Sequence, residues 1–136
     1  MEITIHGEPA SKGSRSGKGS AELDRWEDAV RAACDGHAQV TGPCRLSIEF
    51  ILSPGKFQAS NVQNPHGADL DNLVKPVLDV LKKRVVRDDG SVLELHARKR
   101  AAGAGERPGA LVWIAPLPGI GASAAAPRRV EIHRGR

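Results

Sequence analysis

Between Cys44 and Leu52 the chain alternates, with Leu46, Ile48, Phe50 and Leu52 on one face of a period-2 pattern. Alternation sustained over that length is the mark of a strand that buries one side, so the chain must build a sheet around it. The strand is expected in the middle of that sheet. With 136 residues the chain can bury one hydrophobic core but hardly two, which predicts a single domain. The remaining elements come from local pattern. Glu2–His6 sets Ile3 and Ile5 against polar neighbours, a short half-buried strand, and two more strands are expected around Val92–Lys99 and Ala110–Ala115. Leu23, Trp26, Val30 and Ala33 recur at helical spacing, with Ser20 as the expected N-cap and Gly36 as the stop. A Gly-, Pro-, Asn- and Ser-rich stretch from Ser53 to Ala68 reads as a loop, and Val74, Val77, Leu78 and Leu81 then mark a second helix. Pro76 interrupts it, tolerable in a first turn and disruptive deeper in. The expectation is an α+β domain over residues 1–116, a mixed or antiparallel sheet packed by two helices. Residues 117–136, rich in Ala, Gly, Pro and Arg, are expected to form a mobile tail.

The formal charge of +4 and pI near 9.4 point to an anionic partner. Arg128, Arg129, Arg134 and Arg136 against Glu131 place +3 of that charge in the tail, so a nucleic-acid surface on the folded part needs local clustering of Lys and Arg. With only Phe50, Phe57, Trp26 and Trp113, and no tyrosine, the chain is poorly supplied for base stacking, which favours duplex or branched DNA over single strands. Cys34 and Cys44 form no CxxC pair and there is no N-terminal apolar segment, so a cytoplasmic protein with two small buried thiols is expected, nucleoid-associated when on DNA. No apolar run approaches a membrane span.

Acids concentrate in DLDNLVKPVLDVLKKRVVRDD, residues 69–89. Asp69 and Asp71 are two apart, so in extended chain entering a helix their side chains project to one side. Lys75, one turn beyond Asp71, sets an ammonium beside them. Asp88 and Asp89 come after the helix in a turn that is expected to bring a third carboxylate to the pair. Three clustered carboxylates call for a cation between them, and magnesium, which prefers oxygen ligands, suits the set. Such an ion would activate water, and a second would stabilise the leaving oxygen of a phosphodiester, while Lys75 neutralises the scissile phosphate or orients the nucleophile. The same residues have an ordinary reading: Asp71 as an N-cap, Lys75 and Asp79 as a surface pair, Asp88-Asp89-Gly90 as a turn.

The run DLDNLVKPVLDVL, then a basic stretch, then DDGSV leading into a strand, resembles the central motif of the RusA family of Holliday junction resolvases. The motif spans about thirty residues, and the order of elements around it is compatible with the same family. The resemblance implies a dimeric α+β enzyme, a crossover junction endodeoxyribonuclease that cuts symmetrically across four-way DNA junctions with magnesium, manganese being a substitute. It assigns the essential acids to Asp69, Asp71 and Asp89, all three as metal ligands, and the essential lysine to Lys75, with Asp88 also in the site. It further makes the N-terminal loop a DNA contact, which agrees with the charge there: SKGSRSGKGS, residues 11–20, carries Lys12, Arg15 and Lys18 and no acid. The residues before Asp69, NPHGA, are not strongly basic, and the tail has no counterpart in the motif.

Other basic residues have two readings. Lys82, Lys83, Arg84 and Arg87 flank the acids but also suit a solvated helix end, and Arg98, Lys99 and Arg100 end a strand that could reach phosphate. His66 lacks a second ligand at metal spacing and receives no role. Two rivals stay open at this level: a nuclease of the same chemistry acting on flaps or forks, and a non-catalytic DNA-binding protein that keeps the fold.

Overall fold

The computed structural model describes residues 1–11, 17–59, 69–87 and 89–117. Its elements run β1 (Glu2–His6), α1 (Gly17–Cys34), β2 (Cys44–Leu52), α2 (Pro54–Ala59), α3 (Leu70–Arg84), a 3-10 turn (Asp89–Ser91), β3 (Val92–Ala101) and β4 (Gly109–Pro116). The four strands form one mixed sheet in the order β1-β4-β2-β3, with β4 antiparallel to both of its neighbours and β2 parallel to β3. The α+β expectation holds, and β2 is interior as its alternation requires.

Strand directions give the sheet two ends. β1, β2 and β3 rise together, finishing at His6, Leu52 and Ala101, while β4 descends from Gly109 opposite His6 to Pro116 opposite Cys44. Both long helices therefore run from the upper end to the lower. They cover one face, where Leu46, Ile48, Phe50 and Leu52 of β2 meet Ile3 and Ile5 of β1 and Val112 and Ile114 of β4, all buried. Against them lie Trp26, Val30 and Cys34 of α1 and Leu73, Val77 and Leu81 of α3. Full burial of each such side chain stabilises by roughly 1.5–3 kcal/mol, which is why this stripe dictates the layer order.

Several boundaries differ from the sequence reading for physical reasons. α1 starts at Gly17, so Ser20 lies inside the helix and not at its cap, and Lys18 has helical backbone. The helix ends at Cys34, with Gly36 at φ +84 in the left-handed conformation that stops helices. The stretch from Ser53 contains a third helix, α2, which Pro54 can open because a first helical residue needs no N–H donor. Its Phe57 packs against the core. In α3 the buried stripe is Leu73, Val74, Val77, Val80 and Leu81, and Leu78 is only half-buried. Pro76 sits seventh in that helix, beyond the first turn, and is itself buried. Its missing N–H leaves the Asn72 carbonyl without the usual i+4 donor, a cost offset by packing. β3 and β4 each run slightly longer than their alternation predicts.

Candidate active site

The acids at the start of α3 are displayed because the apolar residues next to them in the helix are buried. Leu73, Val74 and Val77 turn inward, so Asp71 and Lys75, on the opposite side of the helix and one turn apart, are both exposed. Asp69 is the N-cap residue, extended at φ −75 and ψ 152, and its carbonyl accepts the Leu73 N–H at 3.0 Å. Its carboxylate makes no capping hydrogen bond and stays exposed. Asp71 is thus not the cap but a first-turn acid, where the helix dipole favours negative charge. Two free carboxylates and an ammonium at the upper end of the molecule suit a cation bound against phosphate.

Asp89 belongs to the other end. At a rise of about 1.5 Å per residue, the 15 residues of α3 span about 22 Å from the Asp69 end to Arg84. The chain does not double back from there. The Val85 carbonyl accepts the Val40 N–H at 2.7 Å and the Arg87 N–H reaches the Val40 carbonyl at 3.1 Å, tying this segment beside the start of β2. Asp89 opens the 3-10 turn that leads into β3, whose Val92 lies opposite Cys44 at the lower end of the sheet. One chain therefore holds Asp69, Asp71 and Lys75 together and keeps the Asp89 backbone about a helix length away. Asp88 and the side chain of Asp89 lie outside the described residues, as do Lys12, Arg15 and His66. Among the described residues, no three of His, Cys, Asp or Glu group to hold a metal ion.

The cations divide in the same way. Lys18, in the first turn of α1, has its backbone at the upper end with Asp69 and Asp71. Lys82, Lys83, Arg84 and Arg87 gather at the lower end near Asp89, with Arg84 3.7 Å from Asp35. Arg98 and Arg100 are not free phosphate ligands. Both contact Glu49, at 2.6 and 3.3 Å, and Arg100 also holds Glu106 through two guanidinium bonds of 2.7 Å. Glu49 is buried on the sheet face that the helices leave uncovered, and only its place between Ile48 and Phe50 marks it in the sequence. The Arg100 bonds, helped by the Gly103 N–H, hold the Glu106 carboxyl down at about 2. Burial pushes both cysteine thiols up, so they act as small apolar groups and not as nucleophiles.

A profile of the family described as endodeoxyribonuclease RusA matches residues 7–114, from the end of β1 into β4. The chain belongs to this family. RusA membership identifies it as an endodeoxyribonuclease, a hydrolase of DNA, and Asp69, Asp71, Lys75 and Asp89 all lie inside the match. Comparison with curated proteins returns no match. No helix among the described residues is long and apolar enough to cross a membrane.

Proposed function

We propose that this RusA-family chain resolves four-way DNA junctions by paired, magnesium-dependent phosphodiester hydrolysis, and does so as a homodimer whose acids are shared between subunits. The observation that carries the reading is the display of Asp69, Asp71 and Lys75 at the exposed N-terminus of a helix, within a family of endodeoxyribonucleases. The length of α3 argues for sharing. A third carboxylate that its own chain holds at the far end of a 15-residue helix can join the pair only from a second copy. The ligand set is then Asp69 and Asp71 with the partner subunit's Asp89. All its donors are carboxylate oxygens, which fits magnesium, with manganese as a substitute. When bound, the ion supplies Lewis acidity at the phosphodiester.

The chain's own groups do the remaining work. Lys75 neutralises charge on the scissile phosphate, and the unpaired N–H groups of the first turn of α3 face the same anion. Lys12, Arg15 and Lys18 track the phosphate backbone and contribute affinity, not chemistry. Two shared sites per dimer match the two related strands that a junction presents for cutting.

The deciding experiment is a cleavage time course on a labelled four-way junction beside fork, flap and linear duplex of the same sequence, with and without magnesium. Paired nicks on the junction, dependent on the ion, are expected. Preference for fork or flap would assign the same chemistry to another substrate, and binding without cleavage of any of them would leave a DNA-binding protein that keeps the fold.

A further inference from the structure

The sheet face that the helices leave uncovered carries a row of residues at one level: Glu2 of β1, Trp113 of β4, Ser47 of β2 and His96 of β3. Ser47 is small and half-buried, so Trp113 and His96 stand on either side of a gap. Strands two apart lie about 9.5 Å from each other, and a planar ring stacked on both sides needs about 3.4 Å to each neighbour. A third ring fits there. The gap is a cavity of about 250 Å³ that Glu49 and Arg98 also line, below the usual size of a site for a drug-sized ligand. Of the four aromatic residues Trp113 alone is exposed, at 39%, whereas Trp26 and Phe50 are buried and Phe57 packs on the core. One row higher, the buried Glu49 holds Arg98 by one nitrogen at 2.6 Å. The Arg98 side chain is nevertheless 76% exposed, which leaves its other donors available at the cavity. On the opposite flank Glu94 lies 3.7 Å from His96 Nε2 and steadies that ring.

We propose that this cavity receives an unpaired guanine of the DNA substrate, stacked between Trp113 and His96 and read by Arg98. This rests on the reading above that the substrate is branched DNA, and it adds a base-reading site on the sheet face away from α3. Any base stacks on an aromatic ring, so the two rings supply affinity without choice. Choice comes from Arg98. Its planar fork offers adjacent N–H donors, which match the neighbouring O6 and N7 acceptors of guanine, whereas adenine sets a donor beside N7 and cytosine presents a donor of its own. An aromatic side chain of another protein would fill the same gap but leave the Arg98 donors and the Ser47 hydroxyl unmet. A base inside a duplex is already stacked on both faces and must leave the helix to enter, so the site engages only where strands part. The slot therefore favours branched over linear DNA by a route separate from the acids.

Fluorescence titration without magnesium tests this, using a short all-thymine strand and the same strand with one central guanine. The wild-type chain should bind the guanine strand about ten-fold more tightly and lose tryptophan emission as it does so. Trp113→Leu changes an exposed residue and should keep its melting point, lose about ten-fold in affinity for the guanine strand, and show no quenching, because Trp26 is buried. Arg98→Gln should still be quenched but should bind both strands alike. Equal wild-type affinity for the two strands, or a guanine preference that survives both substitutions, would overturn the slot. The wild-type preference and its loss in Arg98→Gln decide the matter even if Trp113→Leu fails to fold. Cleavage of the labelled junction is scored on the same wild-type preparation. Cleavage without guanine preference would strike the slot and leave the nuclease reading standing, whereas guanine preference without cleavage of any branched DNA would keep the slot and strike that reading.

Discussion

Asp71 is the residue at which structure and chemistry can be pulled apart. It is exposed in the first turn of α3 but does not cap it, so Asp71→Asn removes at most a dipole interaction of about 0.3–1 kcal/mol. The melting curve should barely move and junction binding should survive, while cleavage falls by orders of magnitude because a charged magnesium ligand is lost. Cleavage at the parental rate on the same preparation would show that this acid is not in the site. A second residue-scale prediction concerns Glu106. Its carboxyl is held down at about 2 by Arg100, a folded-state value below the ordinary carboxylate range. The Arg100–Glu106 link is thus fully present above about pH 4.5 and is lost as pH falls toward 2. An NMR titration of Glu106 should show the low midpoint, and Arg100→Ala should raise it toward the ordinary range, with the Gly103 N–H still holding it somewhat low. A midpoint unmoved by that substitution would assign the effect elsewhere.

Among the elements, β4 has the tightest fit. A Cβ on Gly109 would overlap the backbone carbonyl oxygen of Ile5 on β1, where no side chain can swing aside. Gly109→Ala should therefore destabilise the fold by about 1–3 kcal/mol, read from denaturant unfolding, with the first strand loosened most in hydrogen exchange. Stability equal to wild type would mean that β1 can shift without cost. β2 and the inward side of α3 were legible in the sequence because burial of one face imposes a period that survives in a single chain. α2 was not, since Pro54 and Gly55 read as loop residues and only the packing of Phe57 reveals the turn of helix. That Asp69 and Asp71 both stand at the start of α3 was legible too, although Asp71 lies in the first turn of the helix and not in extended chain. The separation of Asp89 was only partly readable: the apolar stripe from Val74 to Leu81 implied about two turns of helix between the acids, and the structure extends α3 to 15 residues, which the rise per residue converts into distance.

At the scale of the whole molecule, shared sites make a prediction that sites confined to one chain do not. Asp71→Asn and Asp89→Asn proteins should each be inactive alone. Mixed and allowed to exchange subunits, they form some dimers in which both changes fall in one site and the other site is intact. Junction nicking should then reappear, on one strand per event. If the mixture stays as inactive as its components, each site is built within one chain. The membership of the family was legible from one stretch of about thirty residues, whereas the argument for a second copy arises only when the fold sets the acids of that stretch apart.

The strand order has a separate consequence for how the protein is made. β1 is joined to the sheet only through β4, from Glu2 opposite Trp113 to His6 opposite Gly109, and the amino terminus donates to the Ile114 carbonyl. The residues of β1 leave the ribosome long before those of β4 and must therefore wait, unpaired, for them. Pairing so distant in sequence is slow to form and leaves apolar edge exposed meanwhile. A nascent chain halted before β4 cannot close its sheet, so truncated products of this nuclease should be cleared as misfolded chains and never reach DNA as partial enzymes.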